Sequence, residues 1–385
     1  MDKQTPLMRY RYSAAQDGKL EKKAVIYTRD EHGINFADVD SEAVSIIKKL
    51  KSAGYESYVV GGAVRDLILG KKPKDFDIAS SASPARIKKI FRNSRIIGQR
   101  FRLVHVYFGS RIFEVATFRS LSDGNSSNTF GTIDDDVQRR DFTLNALFYD
   151  PEQHIVVDYI GGMNDIKNKQ IKPIIPLSNI FTDDPVRMIR AVKYAAVTGF
   201  SIPMNLKRKI SSQSHLLSGI SPSRLTEEIF KIVNSEKAAE IVDLLDKLKL
   251  FHYLQPQAAL LMKKNPAFKT KYLQRMAELK GTENKRGKAI GSLYYDYLDT
   301  INNWKPGPIE NYKEIYGLVR AFILPMNPPR FELQYSLKKY LVSHGIIVRR
   351  TSQSAPLAKI HDASSPKRKR RRRRSPKPEQ QNLIQ

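Results

Sequence analysis

The 385-residue sequence has no cysteine, which excludes disulfides, thiolate metal sites and a cysteine nucleophile. Seven histidines leave little material for a zinc cluster, so any metal is expected to be a hard, oxygen-bound cation. No stretch approaches the roughly 20 uninterrupted apolar residues that span a bilayer. The opening residues, MDKQTPLMRYRY, lack the apolar segment of a secretion signal, so the expected location is the cytoplasm. Acid is scarce relative to base: 39 Asp and Glu stand against 66 Lys and Arg, a net charge of +27. The run KRKRRRRR from Lys367 to Arg374, with Lys377, accounts for nine of those charges and still leaves +18 on the rest. Basicity spread along a chain suits a protein that follows a polyanion, and nucleic acid is the expected partner.

Hydrophobic residues make up 41% of the chain, enough for packed interiors, and the length calls for two or three structural units. Residues 1–24 are polar and read as a flexible segment. SEAVSIIKKLKSA, from Ser41 to Ala53, places Val44, Ile46, Ile47 and Leu50 at helical spacing before Gly54. YESYVVGG reads as a strand entering a glycine turn, AVRDLILG as a short helix and DFDIAS as a strand. SPARIKKIFRN is a helix with Ser83 at its N-cap and Pro84 in the first turn. RLVHVYFG and RIFEVATFR form an expected hairpin around Gly109-Ser110. Leu121 to Gly131 is a polar loop of small residues, expected to be a mobile element near the site. This α/β head, with a mixed or antiparallel sheet, is expected over 25–155. From Thr182 the spacing turns helical; a helical neck is expected over 156–250, carrying nucleotide-base recognition, and an all-α, RNA-binding body over 251–348. Residues 349–385, rich in Ser, Pro, Lys, Arg and Gln, read as a disordered basic tail.

The chemistry centres on Asp75 and Asp77 in KDFDIAS. On a strand their two-residue spacing turns both carboxylates to one face. Like charges that close repel unless a cation lies between them, and Mg²⁺ is commonly held by one or two carboxylates with substrate phosphates. The pair alone also fits the polar face of an exposed strand beside Lys72 and Lys74. Gly61-Gly62 adds context, since glycines between strand and helix let a backbone approach a phosphate. The absence of GxxxxGK[ST] excludes an ATPase P-loop. Phosphoryl transfer with two metal ions also needs a further carboxylate. Glu114, an acid in an otherwise apolar strand, and Asp141, beside Arg139 and Arg140, both qualify. Spacing does not rank the two.

GGAVRDLILGKKPKDFDIAS, RRDFTLNALFYD, TDDPVRMIRAVKYAA and SPSRLTEE together resemble successive motifs of the class II nucleotidyltransferases, which comprise tRNA CCA-adding enzymes and bacterial poly(A) polymerases. The resemblance runs from about residue 40 to 250. It implies that Asp75 and Asp77 are catalytic and metal-binding, with Asp141 counted beside them and Glu114 a possible additional carboxylate. It further implies a phosphate pocket shaped by Gly61, Gly62, Arg65 and Asp66, with Arg139 and Arg140 next to the nucleotide. Base reading falls to Asp184 and Arg187, whose carboxylate and guanidinium present fixed acceptors and donors. Asp183 stands where the family's motif has Glu. Arg224, Glu227 and Glu228 of SPSRLTEE tie helices together.

IIGQRFRLVHVYFG is similar to the stretch that marks the poly(A) polymerase branch, with Gln99 in place of the usual basic residue. The expected reaction is therefore ATP-dependent addition of AMP to RNA 3′ ends, with Mg²⁺ (two ions) as cofactor. The basic tail, with Arg370, Arg371, Arg372, Arg373 and Arg374, is expected to bind RNA by counterion release, although the same run also reads as a nuclear localisation signal. Lys- and Tyr-rich segments of the body, KKNPAFKTKYLQRM and SLYYDYLDT, suggest a guide for single-stranded RNA, against a plain core role for the tyrosines. The alternatives are a CCA- or A-adding tRNA enzyme of the same fold and a catalytically silent RNA-binding protein.

Overall fold

The computed structural model describes residues 9–14, 20–98, 102–120, 130–279, 286–302 and 304–348. Its first half is built on nine strands: β1 (Arg9–Ala14), β2 (Leu20–Tyr27), β3 (Ser57–Val60), β4 (Asp77–Ser80), β5 (Ser94–Ile97), β6 (Leu103–Phe108), β7 (Arg111–Thr117), β8 (Leu147–Asp150) and β9 (Ile155–Asp158). They form one sheet in the order β1-β2-β9-β8-β3-β4-β7-β6-β5. Every neighbouring pair is antiparallel except β4 and β7, which run parallel.

The helix Ser41–Ser52 forms as its spacing predicts. Asp40 caps it by accepting hydrogen bonds from the Glu42 and Ala43 amides, at 2.9 and 3.3 Å. Its apolar face, Val44, Ile46, Ile47 and Leu50, is buried in the core with Val59, Ile78 and Val115, each such side chain worth about 1.5–3 kcal/mol on leaving water. Ser83 caps the Pro84–Ile90 helix through the Arg86 amide, and β6 and β7 pair around Gly109-Ser110. A mixed sheet with helices is followed by a helical body, which is the expected architecture.

Four local expectations are corrected. Residues 9–14 and 20–24, read as flexible, are strand: β2 pairs with both β1 and β9, a long-range pairing that no local periodicity announces. The sheet continues beyond residue 155, because β9 runs to Asp158. In DFDIAS the strand begins only at Asp77, so Asp75 and Phe76 sit on the approach to it. The body is not purely helical: β10 (Gly307–Ile309) and β11 (Ile346–Val348) pair in parallel. The expected mobile loop lies, for residues 121–129, outside the described residues, as do Gln99 and the basic tail with Arg370–Arg374.

Candidate active site

Strand register assembles the site. In the β3–β4 pair Val60 stands opposite Asp77, so the glycine turn that follows Val60 lies beside the two aspartates despite the intervening helix. Gly61 has φ of +71°, a conformation that costs a side-chain-bearing residue energy and a glycine almost none. The turn sits against Arg140, whose Nη1 would lie 3.8 Å from a Cβ at Gly61, an ordinary contact, so backbone conformation and not space is what calls for glycine here. β8 pairs with β3 through Val60 and Phe148, which brings the residues just before β8, Asp141 and Asn145, to the same end of the sheet.

That end opens into a cleft of about 1090 Å³ whose walls include Gly61, Gly62, Arg65, Asp66, Asp75, Asp77, Arg140 and Asp141. Asp77 is hemmed in by protein at the cleft floor but open to water through the mouth. Its carboxyl is pushed up to about 6, first by burial and then by the Glu114 and Asp75 carboxylates, with Arg140 acting in the opposite direction. Glu114 alternates with buried Phe113 and Val115 as expected. The parallel β4–β7 register aligns Ile78 with Val115, which sets Glu114 next to Asp77. Glu114 is exposed, and its only ion contact among the described residues is His105 Nε2 at 3.4 Å.

A buried guanidinium underlies the glycine turn. Arg65 donates from Nε to Asp66 Oδ1 at 2.8 Å and from Nη1 to Asn145 Oδ1 at 2.9 Å, and its planar group lies over Tyr194. Arg140 donates through Nε and Nη2 to Asp136 and through Nη1 to the Asn145 carbonyl. Arg139, expected beside the nucleotide, instead donates to the Ser120 carbonyl and is not on the cleft wall.

The opposite wall is the Val186–Thr198 helix, which presents Arg190, Lys193, Tyr194 and Val197 to the cleft, a single face at helical spacing. Asp141 is clamped by this helix: Oδ1 accepts from Arg187 Nε at 3.0 Å and Oδ2 from Arg190 Nη1 at 2.7 Å. Arg187 also donates to the Ile180 carbonyl, while Asp184 caps Val186 and binds Arg224 at 2.9 Å. Asp184 and Arg187 are therefore engaged with other protein groups, and neither is on the cleft wall. Arg190 reaches on to Glu228 at 3.4 Å. Burial opposes the Glu228 charge, yet Arg190, Lys193 and Lys231 hold its pKa below the ordinary range. Arg224 and Glu228 thus tie two helices together, as expected.

Sequence reasoning missed Asn145, Arg190, Lys193 and Lys231. Each is a single polar residue in an amphipathic or apolar stretch, and only the tertiary packing turns it inward to the cleft. Basic side chains outnumber acidic ones on the cleft walls, the balance a polyphosphate requires. Among the described residues no three acidic or histidine side chains converge as a complete metal cage. The paired aspartates nevertheless fit a hard cation. Burial and the neighbouring Glu114 and Asp75 carboxylates all disfavour the Asp77 charge, with Arg140 opposing them, and a cation between the aspartates would favour it. Mg²⁺ takes only one or two protein carboxylates when phosphate and water supply the rest.

Comparison with known proteins adds independent findings. Residues 57–172 match the family described as "Poly A polymerase head domain", and residues 199–262 match "Probable RNA and SrmB- binding site of polymerase A". The chain is 41% identical over 260 residues to poly(A) polymerase I of Escherichia coli O157:H7, covering 63% of this chain and 56% of that one. It is 37% identical over 219 residues to the CCA-adding enzyme of Geobacillus thermodenitrificans, covering 55% and 54%. It thus spans just over half the length of the curated relatives it matches. Among solved structures, the Bacillus stearothermophilus CCA-adding enzyme in complex with CTP superposes with a TM-score of 0.52 at 27% identity, covering 78% of this chain and 82% of that one. The Thermotoga maritima CCA-adding enzyme complexed with tRNA superposes at 0.55 and 20% identity, covering 83% and 74%, a likeness of fold. Motif order, the glycine turn beside paired aspartates and these matches agree: residues 57–172 carry the poly(A) polymerase head domain of the class II nucleotidyltransferase superfamily.

Proposed function

We propose that this protein is a template-independent polynucleotide adenylyltransferase that adds AMP from ATP to RNA 3′ ends, acting in RNA polyadenylation and turnover. The observation that carries the reading is one cleft in which a glycine turn, two adjacent aspartates and a wall of basic side chains face each other. Asp75 and Asp77 are the residues that would hold Mg²⁺, which when bound lowers the pKa of the attacking 3′-hydroxyl and offsets triphosphate charge. The Gly61-Gly62 turn admits the phosphates to the backbone. Arg65 and Arg140, both fixed by their own hydrogen bonds, and Lys193 surround the phosphates with positive charge. The RNA hydroxyl attacks the α-phosphate in line and pyrophosphate departs, with no covalent enzyme intermediate.

The two acids left unranked by sequence take different parts. Glu114 extends the acidic group at Asp77, whereas Asp141, with both oxygens held by arginines, positions the Val186–Thr198 helix against the head. Poly(A) synthesis is favoured over CCA addition by the higher identity to poly(A) polymerase I than to the CCA-adding enzyme.

The test offers oligo(A) and CCA-trimmed tRNA with each nucleotide separately and Mg²⁺. Long tails from ATP alone on oligo(A) are the expected result, and two C and one A on tRNA would overturn it. Asp75→Ala and Asp77→Ala are each expected to abolish addition while leaving RNA binding in place. Full activity in both variants would remove the aspartates from the mechanism.

A further inference from the structure

Most aromatic side chains of the body are committed to its interior. Tyr272 and Tyr294 are almost fully buried, and Tyr297 stacks on Phe322 with ring centroids 4.0 Å apart. The tyrosines that the sequence suggested as an RNA guide are thus core, and the helix Arg330–Ser343 carries the opposite case. Its inner face, Leu333, Ser336, Leu337, Tyr340 and Leu341, is buried. Its outer face exposes Phe331 (58%) and Tyr335 (57%), the two most exposed aromatic rings among the described residues, and Val342 (67%).

Helical geometry places Phe331, Tyr335, Lys338 and Val342 within roughly 60° of arc, with Lys339 about 40° further round. Arg330, exposed in the helix's first turn, lies on the other side of the arc, about 80° round from Lys338. None of Arg330, Lys338 and Lys339 has an ion pair among the described residues, and the helix's one acid, Glu332, is buried at the edge of this arc, about 20° round from Lys339. Leaving two rings in water beside unpaired cations is costly for a free surface and suits a ligand with flat faces and negative charge. The helix also lies beyond both matched family segments.

We infer that the outer face of the Arg330–Ser343 helix is a stacking platform for single-stranded RNA, Phe331 and Tyr335 taking bases and Arg330, Lys338 and Lys339 the adjoining phosphates. The inference rests on the reading of RNA as the substrate. Base–aromatic stacking accounts for about 1–3 kcal/mol per base and tolerates any sequence, which matches a protein that must hold a growing homopolymer.

Anisotropy of a fluorescein-labelled 20-nucleotide oligo(A) on the full chain tests it. Phe331→Ala with Tyr335→Ala is expected to weaken binding at least about tenfold, with ATP affinity and thermal midpoint unchanged. Phe331→Trp with Tyr335→Trp retains binding. Lys338→Glu with Lys339→Glu, which leaves the rings in place, flattens the slope of log affinity against log salt by about 1.4 or more. Wild-type affinity in both the alanine and the glutamate pairs overturns the platform and leaves the face to a protein partner. Failure of the wild-type chain both to bind oligo(A) and to add AMP overturns the substrate reading itself.

Discussion

Lys193 shows how much one side chain can depend on what the cleft holds. Burial lowers its ammonium to about 8; Glu228 opposes that shift, while Lys231, Arg190 and Arg65 add to it. In the folded, nucleotide-free protein the proton therefore leaves near pH 8, whereas in the unfolded chain it stays to about 10.4. Between those values the unfolded state binds more protons, so this residue's contribution to stability rises with pH across the window and opposes folding below it. A bound polyphosphate reverses the balance by favouring the charged form. ATP affinity is expected to fall as pH climbs through 8, and calorimetry in buffers of different ionisation enthalpy should register proton uptake on binding. Lys193→Met removes both effects and raises the thermal midpoint of the nucleotide-free protein at pH 7; unchanged proton uptake in that variant would separate Lys193 from the phosphates. At this scale the sequence was legible where chemistry is local. Asp75, Asp77, Gly61 and Gly62 declare themselves by type and spacing, and all four line the cleft. Lys193 and Asn145 do not, because a lysine on a helix and an asparagine after a loop acquire meaning only from the wall they face.

Among elements, the decisive contact joins the Val186–Thr198 and Pro222–Val233 helices to the sheet. Glu228, almost fully buried, accepts from Arg190 and from Lys231 at 2.8 Å, and Arg190 in turn holds Asp141. Glu228→Ala removes the acceptor shared by Arg190 and Lys231, but Arg190 keeps Asp141 and Lys231 is about half exposed, so the expected cost is about 1–3 kcal/mol, read from denaturant midpoints. Because the Glu228 pKa is depressed, its contribution is present at neutral pH and lost as pH falls through the carboxylate range. The loss in Glu228→Ala should therefore shrink in acid, and a loss of constant size would point to packing instead of charge. Element identity was readable wherever an apolar period was long, as in Ser41–Ser52, or a cap was explicit, as at Ser83. It failed for β1 and β2, whose LEKKAVIY is a mixed pattern that becomes strand only by pairing across the chain with β9. It also failed for β10 and β11, three residues each, too short to carry a period.

At the scale of the whole molecule, charge and binding surface are distributed over parts that do different work. Residues 349–385 contribute twelve of the basic residues and two of the acidic ones, so residues 1–348 retain +17. The cleft and the Arg330–Ser343 helix both fall within that remainder, where their charges are held in fixed positions. On the proposed reading of RNA as substrate, the tail's charges are expected to add a polyelectrolyte component that depends on salt more than on RNA sequence. A chain ending at Val348 is therefore expected to keep its thermal midpoint and its rate of AMP addition at saturating RNA. Its RNA affinity should drop, and the slope of log affinity against log salt should flatten by about 0.7 for each phosphate no longer neutralised. Binding isotherms for oligo(A) across a salt series read both quantities. A shortened chain with the full salt slope would place the electrostatic contacts on residues 1–348 alone, whereas a lower rate at saturating RNA would make the tail part of catalysis. The expected pattern, weaker affinity with turnover kept, follows from a site whose proposed reacting groups, Asp75 and Asp77 with the glycine turn, all lie within residues 1–348.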